Sequence, residues 1–174
     1  MKQIILAIIS IYFLTLNINA QDIARNNIYI EGLGAAGLYS VNYERLLSND
    51  KDVNYPLRIG ISLFPQDGSD SGIPELSIPI GISRIQKIGE YDNFIEMGFS
   101  TSIAYFKEME RISESRAYEF IYNSYIIPSI NIGFSHRPMS GGFNYHIQFL
   151  LMYNTSETSN PIMPWIGFGI GKTF

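Results

Sequence analysis

The run from Pro161 to Phe174, Pro-Ile-Met-Pro-Trp-Ile-Gly-Phe-Gly-Ile-Gly-Lys-Thr-Phe, separates cleanly when read with period two. One face carries Ile162, Ile166, Phe168, Ile170 and Phe174. The other carries Met163, Trp165, Gly167, Gly169, Gly171 and Thr173. Successive strand residues point to opposite sides, so this is a β-strand with one apolar face and one mostly small or polar face. Much of the chain upstream repeats the pattern.

The 174 residues are enough for one domain, and at 46% hydrophobic and 16% charged they are poor in charge for a water-exposed surface. Such a surface suits an apolar solvent. Tyr 12, Phe 11 and Gly 15 favour twisted sheet over helix. At the N-terminus, Lys2, an apolar run from Ile4 to Leu16 and then Asn17-Ile18-Asn19-Ala20 read as a helical export signal cleaved after Ala20. The other reading, a retained membrane helix, needs a run of about 20 apolar residues, and this one is shorter. The division is therefore a signal peptide, 1–20, and one β-barrel domain, 21–174.

Without the leader the charge is about −5, which argues against nucleic acid as a partner. Cys is 0, which excludes disulfide staples, thiolate metal sites and a lipid attached through an N-terminal Cys. A closed hydrogen-bonded ladder is one way to hold such an exported chain together.

In order, strands are expected over 27–34, 38–47, 57–63, 75–83, 95–105, 118–137, 143–154 and 161–174. Gly- and polar-rich segments separate them: Ala35 to Gly37, Ser48 to Tyr55, Gln66 to Gly72, Ile88 to Asp92, Lys107 to Arg116, Met139 to Gly142 and Thr155 to Asn160. Lys107 to Arg116 reads as the longest and most charged loop, with a short helical turn as the alternative. Ile121, Tyr125, Ile127, Leu150 and Met152 fall on the polar side of their strands and blur the alternation. About eight strands and no helix beyond the leader give an all-β, eight-stranded, antiparallel up-and-down barrel. Membrane barrels have even counts from about 8 and segments of about 9–11 residues.

A soluble ligand-binding barrel would show the same period with its greasy face inside. The polar face separates the two, because it is Gly, Ser and Asn with occasional Glu or Arg, as a narrow lumen requires. Glu31, Glu44, Arg58, Glu75 and Glu96 are expected to form a polar network there. Aromatic residues on the greasy face lie near strand ends, with Tyr39, Tyr105, Tyr122 and Tyr153 near one rim and Phe134, Phe143 and Phe174 near the other, as interfacial girdles do. With both termini on the periplasmic side, turns after the even strands should be short and outer loops long. The tight Ala35–Gly37 and the long Ser48–Tyr55 depart from this. Pro79, Pro128 and Pro164 each remove a ladder donor and are expected at bulges or rims.

The leader, the alternating strands and the terminal aromatic residue together resemble the small eight-stranded outer-membrane β-barrel family of Gram-negative bacteria, over essentially the whole mature chain. The resemblance implies that Ile166, Phe168, Ile170 and Phe174 form the signal read by the barrel-assembly machinery. Lys172 departs from the aromatic or aliphatic residue usual at its step. The run Gly-Leu-Tyr-Ser-Val-Asn-Tyr-Glu-Arg at 37–45 is similar to uncharacterised members and implies no activity.

Some barrels of this kind are lipid-modifying hydrolases using Ser and His, so Ser135, His136 and His146 require weighing. Parity puts His136 on the lipid face, apart from Ser135 and from a lumen-facing His146, and a triad needs its members within hydrogen-bond reach. Two His and no Cys argue against a transition-metal site. Asp67-Gly68-Ser69-Asp70 lacks the ligand count of a calcium loop. Asn154-Thr155-Ser156 matches a glycosylation pattern of little weight in a bacterial chain. The expectation is a monomeric outer-membrane barrel with a filled lumen, no cofactor, no metal and no catalytic site, whose partners are membrane lipid and, during biogenesis, the assembly machinery. A lipid-modifying barrel enzyme and a soluble periplasmic lipocalin-like binder are the alternatives.

Overall fold

The computed structural model describes residues 23–64, 74–111, 118–153, 155 and 161–174. The leader, the loop with Asp67 to Asp70, residues 112–117, and Asn154 and Ser156 lie outside the described residues. Nine strand segments follow in order: β1 (Asn26–Gly32), β2 (Tyr39–Leu46), β3 (Val53–Asn54), β4 (Pro56–Leu63), β5 (Leu76–Ile88), β6 (Asn93–Arg111), β7 (Tyr118–His136), β8 (Gly142–Tyr153) and β9 (Ile162–Thr173). Against β5, Asn54 faces Ile85 and Leu57 faces Ile82, so β3 and β4 hold one register and form a single stave. The wall therefore has eight staves, all antiparallel, and closes because β1 pairs with β9 and β5 with β6.

Following partners once around the wall passes Asn27, Glu44, Arg58, Gly81, Ser100, Ser129, Met152 and Met163. Continuing the β9–β1 register from there arrives at position 37, ten residues beyond the start. That stagger tilts the strands, by about 35–45° in barrels generally.

Polarity is inverted relative to a water-soluble core. Ile130 and Phe168 are each 56% exposed, whereas Glu31 is 0% and Asn42 1% exposed. Burial alternates residue by residue along β2 and β4, as a wall with two unlike faces requires.

The interior is layered. At the end where β1 begins and β9 stops, here the terminal end, Ile23, Leu46, Ile85, Phe94 and Met139 form a buried apolar cluster. The Ala24 amide donates to the Met139 carbonyl at 2.6 Å, which ties the segment before β1 to the β7–β8 turn. Polar and charged side chains fill the middle. Near the far end Ala35, Leu150 and Met152 make a second apolar cluster, with Ile127 and Trp165 packed against it. Leu150, Met152 and Ile127 break the sequence alternation because they line this apolar layer.

The tight connection after β1 has the same explanation. Ala35 and Ala36 are buried, and Ser102 Oγ donates to the Ala35 carbonyl at 2.5 Å. The segment folds into the mouth of the barrel and does not project as an outer loop. The connection after β2 is shorter than expected because Val53–Asn54 already belongs to the wall.

The expected loop over 107–116 is corrected in its first half. β6 and β7 remain paired out to Arg111 opposite Tyr118, while β5 starts opposite Tyr105 and β8 pairs only as far as Ser129. They rise beyond the wall as a two-stranded ribbon. Its β6 arm, Lys107 to Arg111, is charged and shows no apolar face in sequence, whereas its β7 arm lies in the strand expected over 118–137.

Pro128 lies one residue past the last β7–β8 pair, and Pro164 lies above the last β9–β1 pair, both rim positions on the side that needs no donor. Pro79 differs: it sits inside the wall with no bulge. The β4–β5 register is the same on both sides of it, with pairing interrupted only between Ile59 and Ser62. The lost donor thus leaves a local gap in an unshifted ladder.

Candidate functional site

The middle of the barrel is built by inward positions of seven staves. Glu31 of β1 is its hub. Arg58 of β4 brings Nη1 to 3.5 Å from Glu31 Oε1, and His146 of β8 brings Nε2 to 3.1 Å from the same oxygen. Gln148 Nε2 donates to that oxygen as well. Arg58 Nη1 also donates to the Tyr29 hydroxyl at 3.3 Å, and the Tyr29 ring meets the His146 ring edge-on at 4.9 Å.

Glu44 of β2 is paired with Arg137, which follows the end of β7 and folds inward. Glu96 of β6 accepts from Ser83 Oγ at 2.6 Å, and Asn144 Nδ2 donates to Asn27 Oδ1 at 2.7 Å. Above them Ser100 and Ser129 share a hydrogen bond of 2.7 Å. Burying such charges is tolerable only when they are paired and hydrogen-bonded.

Of the five residues expected in the network, Glu31, Glu44, Arg58 and Glu96 are buried in the lumen. Glu75 is apart from them. It precedes β5 at the far end, where its Oε1 stands 4.0 Å from Lys107 Nζ. Sequence reasoning left Arg137 out of the network, although the strand expected over 118–137 gives it the inward parity of Asn131, Gly133 and Ser135.

Space for the large inward groups comes from the neighbouring strand. A Cβ at Gly169 would land in the His146 ring, and one at Gly171 would land on the Ile28 carbonyl and Tyr29. Beside Ser135, Arg58 and Arg137 lies a cavity of about 10 Å³, enough for about one water.

His136 lies outside the wall, stacked on Tyr145 at 5.3 Å with Nδ1 2.9 Å from Asn93 Oδ1. Ser135 and His146 are cross-strand partners and both face the lumen, a juxtaposition that single-strand parity did not reveal. Ser135 Oγ is buried without a hydrogen-bond partner, so no nucleophile–base bond joins it to His146. Among the described residues no group of three His, Cys, Asp or Glu is placed to hold a metal ion.

Of the terminal residues, Ile166, Phe168 and Ile170 point outward and are exposed. Phe174 exchanges backbone hydrogen bonds with Asn26 at 2.8 and 2.9 Å, closing the seam between the two chain ends.

Fold and interior together define a closed eight-stranded β-barrel with an apolar exterior and a lumen lined by buried charged and polar side chains. No protein-family model matches the chain, and no curated protein does. Among solved structures it is similar to the N-terminal β-barrel domain of Pseudomonas aeruginosa OprF, at 15% identity, covering 87% of this chain and 98% of that one, with a TM-score of 0.49.

Proposed function

We propose that the chain is an integral outer-membrane β-barrel with its termini on the periplasmic side, serving a non-enzymatic structural or surface-interaction role. One observation carries this reading: isoleucines, leucines and aromatic rings cover the outside while Glu, Arg, Asn and Ser fill the inside. In water that exterior would forfeit about 1.5–3 kcal/mol for each large apolar side chain left unburied. In hydrocarbon it is the favoured surface, and a closed ladder leaves no edge to be satisfied.

Apolar layers at both ends and the paired charges between them support a barrel that does not conduct. The self-closed wall supports a monomer, since within the wall none of the eight staves has a free edge that calls for a second copy. Outward exposure of Ile166, Phe168 and Ile170 fits their reading by an assembly machinery, with Phe174 at the seam. The ribbon of β6 and β7 is the part best placed to meet partners outside the cell. Membrane fractionation followed by gels of unheated and boiled samples tests the proposal. A heat-modifiable band in the outer-membrane fraction supports it, and a soluble band of unchanged mobility overturns it.

The lipid-modifying reading draws on the Ser135, His146 and Glu31 placement. A cavity of about 10 Å³ gives an acyl ester no access to Ser135, which favours the non-enzymatic role. An altered lipid profile in a Ser135→Ala strain would reverse that preference.

A further inference from the structure

Three cations face outward at the terminal end of the wall: Arg45 on β2, Arg84 on β5 and Lys172 on β9, all exposed. They stand on alternate staves, with β1 between Lys172 and Arg45 and the β3–β4 stave between Arg45 and Arg84. Their levels match. Lys172 faces Ile28, Ile28 faces Tyr43, and Arg45 is two residues further toward the terminal end. In the same way Arg45 faces Leu57, Leu57 faces Ile82, and Arg84 is two residues further. Strand tilt takes up about that offset over two staves, so the three form an arc along the rim, on the order of 10 Å from one to the next.

None of the three has an ion pair among the described residues. Their cross-strand partners are neutral: Asn26 and Leu57 for Arg45, Met97 for Arg84, Ile28 and Phe143 for Lys172. The acids at this end, Asp50, Asp52, Glu90 and Asp92, lie in turns beyond the strands, and Asp92 is engaged by Lys87 at 3.4 Å. At the far end the outward-side Lys107 already has Glu75 at 4.0 Å. Among the described residues the unneutralised positive charge thus lies at one rim of the apolar wall. Long basic side chains in that position lay their stems on the apolar surface and carry their charge to the head-group level.

We infer that this arc binds the phosphates of anionic phospholipids in the leaflet at the terminal end. The inference rests on the membrane reading above and adds a lipid class and a side. Each cation near an anionic lipid surface strengthens attraction about five-fold.

The test folds the full chain into mixed vesicles of phosphatidylcholine and phosphatidylglycerol and measures by native mass spectrometry which lipid it retains. The expected result is preferential retention of phosphatidylglycerol, about five-fold or more, lost in the triple variant R45Q/R84Q/K172Q and kept in R45K/R84K. Equal retention by the wild type, or a preference that survives the triple variant, overturns the inference. If the triple variant shows no heat-modifiable band, the three single variants are read instead, each expected to lose part of the preference. A third mixture with lipid A in place of phosphatidylglycerol distinguishes the phosphate source. Stronger retention of lipid A, unaffected by the triple variant, overturns the assignment to this leaflet. A wild type that never becomes heat-modifiable, even in phosphatidylcholine alone, defeats the barrel reading itself; a heat-modifiable wild type indifferent to head group defeats only this inference.

Discussion

Arg58 Nη1 stands 3.5 Å from Glu31 Oε1 inside the barrel, with side chains 6% and 0% exposed. Removing one partner of such a pair strands the other charge in the buried interior. Arg58→Met should therefore cost about 3–5 kcal/mol, and adding Glu31→Gln should recover much of it. Urea midpoints in detergent micelles, followed by the fluorescence of Trp165, check both numbers.

Ile132 is 51% exposed on the outer face, between Met97 and Phe149. A cation there lies near the middle of the apolar band. Ile132→Arg should destabilise the folded state in vesicles by about 2–4 kcal/mol, whereas Tyr153→Arg, at the far rim, should cost about 0–1. Equal costs at the two depths would contradict a membrane around this wall.

Gly171 faces Tyr29 and the Ile28 carbonyl so closely that an added Cβ would meet backbone as well as side chain. Gly171→Val should force β9 from β1 at the seam that closes the ring. The expected outcome is loss of the heat-modifiable species or a fall in unfolding free energy of several kcal/mol, about 1–3 being typical of overpacking alone.

Asp50 shapes the turn between β2 and β3, its Oδ1 accepting from the amides of Asp52 at 2.8 Å and Val53 at 3.1 Å. Those two bonds hold its carboxyl below the usual carboxylate range. A lowered folded value means the turn's contribution is complete above the ordinary Asp value of about 3.9 and is lost as pH falls through the folded value. Protection of the Asp52 and Val53 amides from exchange, relative to the intrinsic rate at each pH, should therefore be lost only in acid below that range, and Asp50→Asn should abolish that pH dependence.

How far sequence reached depends on what each residue faces. Tyr39 to Leu46 and Phe143 to Tyr153 stand between lipid-type and lumen-type surroundings, so their period of two was readable and their strand bounds came within a residue or two. Leu150 and Met152 looked like blemishes because the lumen was expected to be polar throughout, yet they line its apolar end with Ala35. Lys107 to Arg111 read as loop because the run is charged and has no apolar face, and its pairing with β7 is a cross-strand property. Within the site, Glu31, Glu44, Arg58 and Glu96 were legible by parity. Arg137 carried the same inward parity as Ser135 but was left out, and the Ser135–His146 neighbourhood was not legible, since a cross-strand register is a property of the closed ring and not of one segment.

The central claim is the direction in which the wall faces. The chain has no Cys, so single cysteines can be placed in turn at positions 146 to 151 and spin-labelled after folding into vesicles. The account predicts that labels at 147, 149 and 151 relax with lipid-soluble oxygen, while those at 146, 148 and 150 are shielded from it. The opposite parity, or equal accessibility at all six positions, would contradict it.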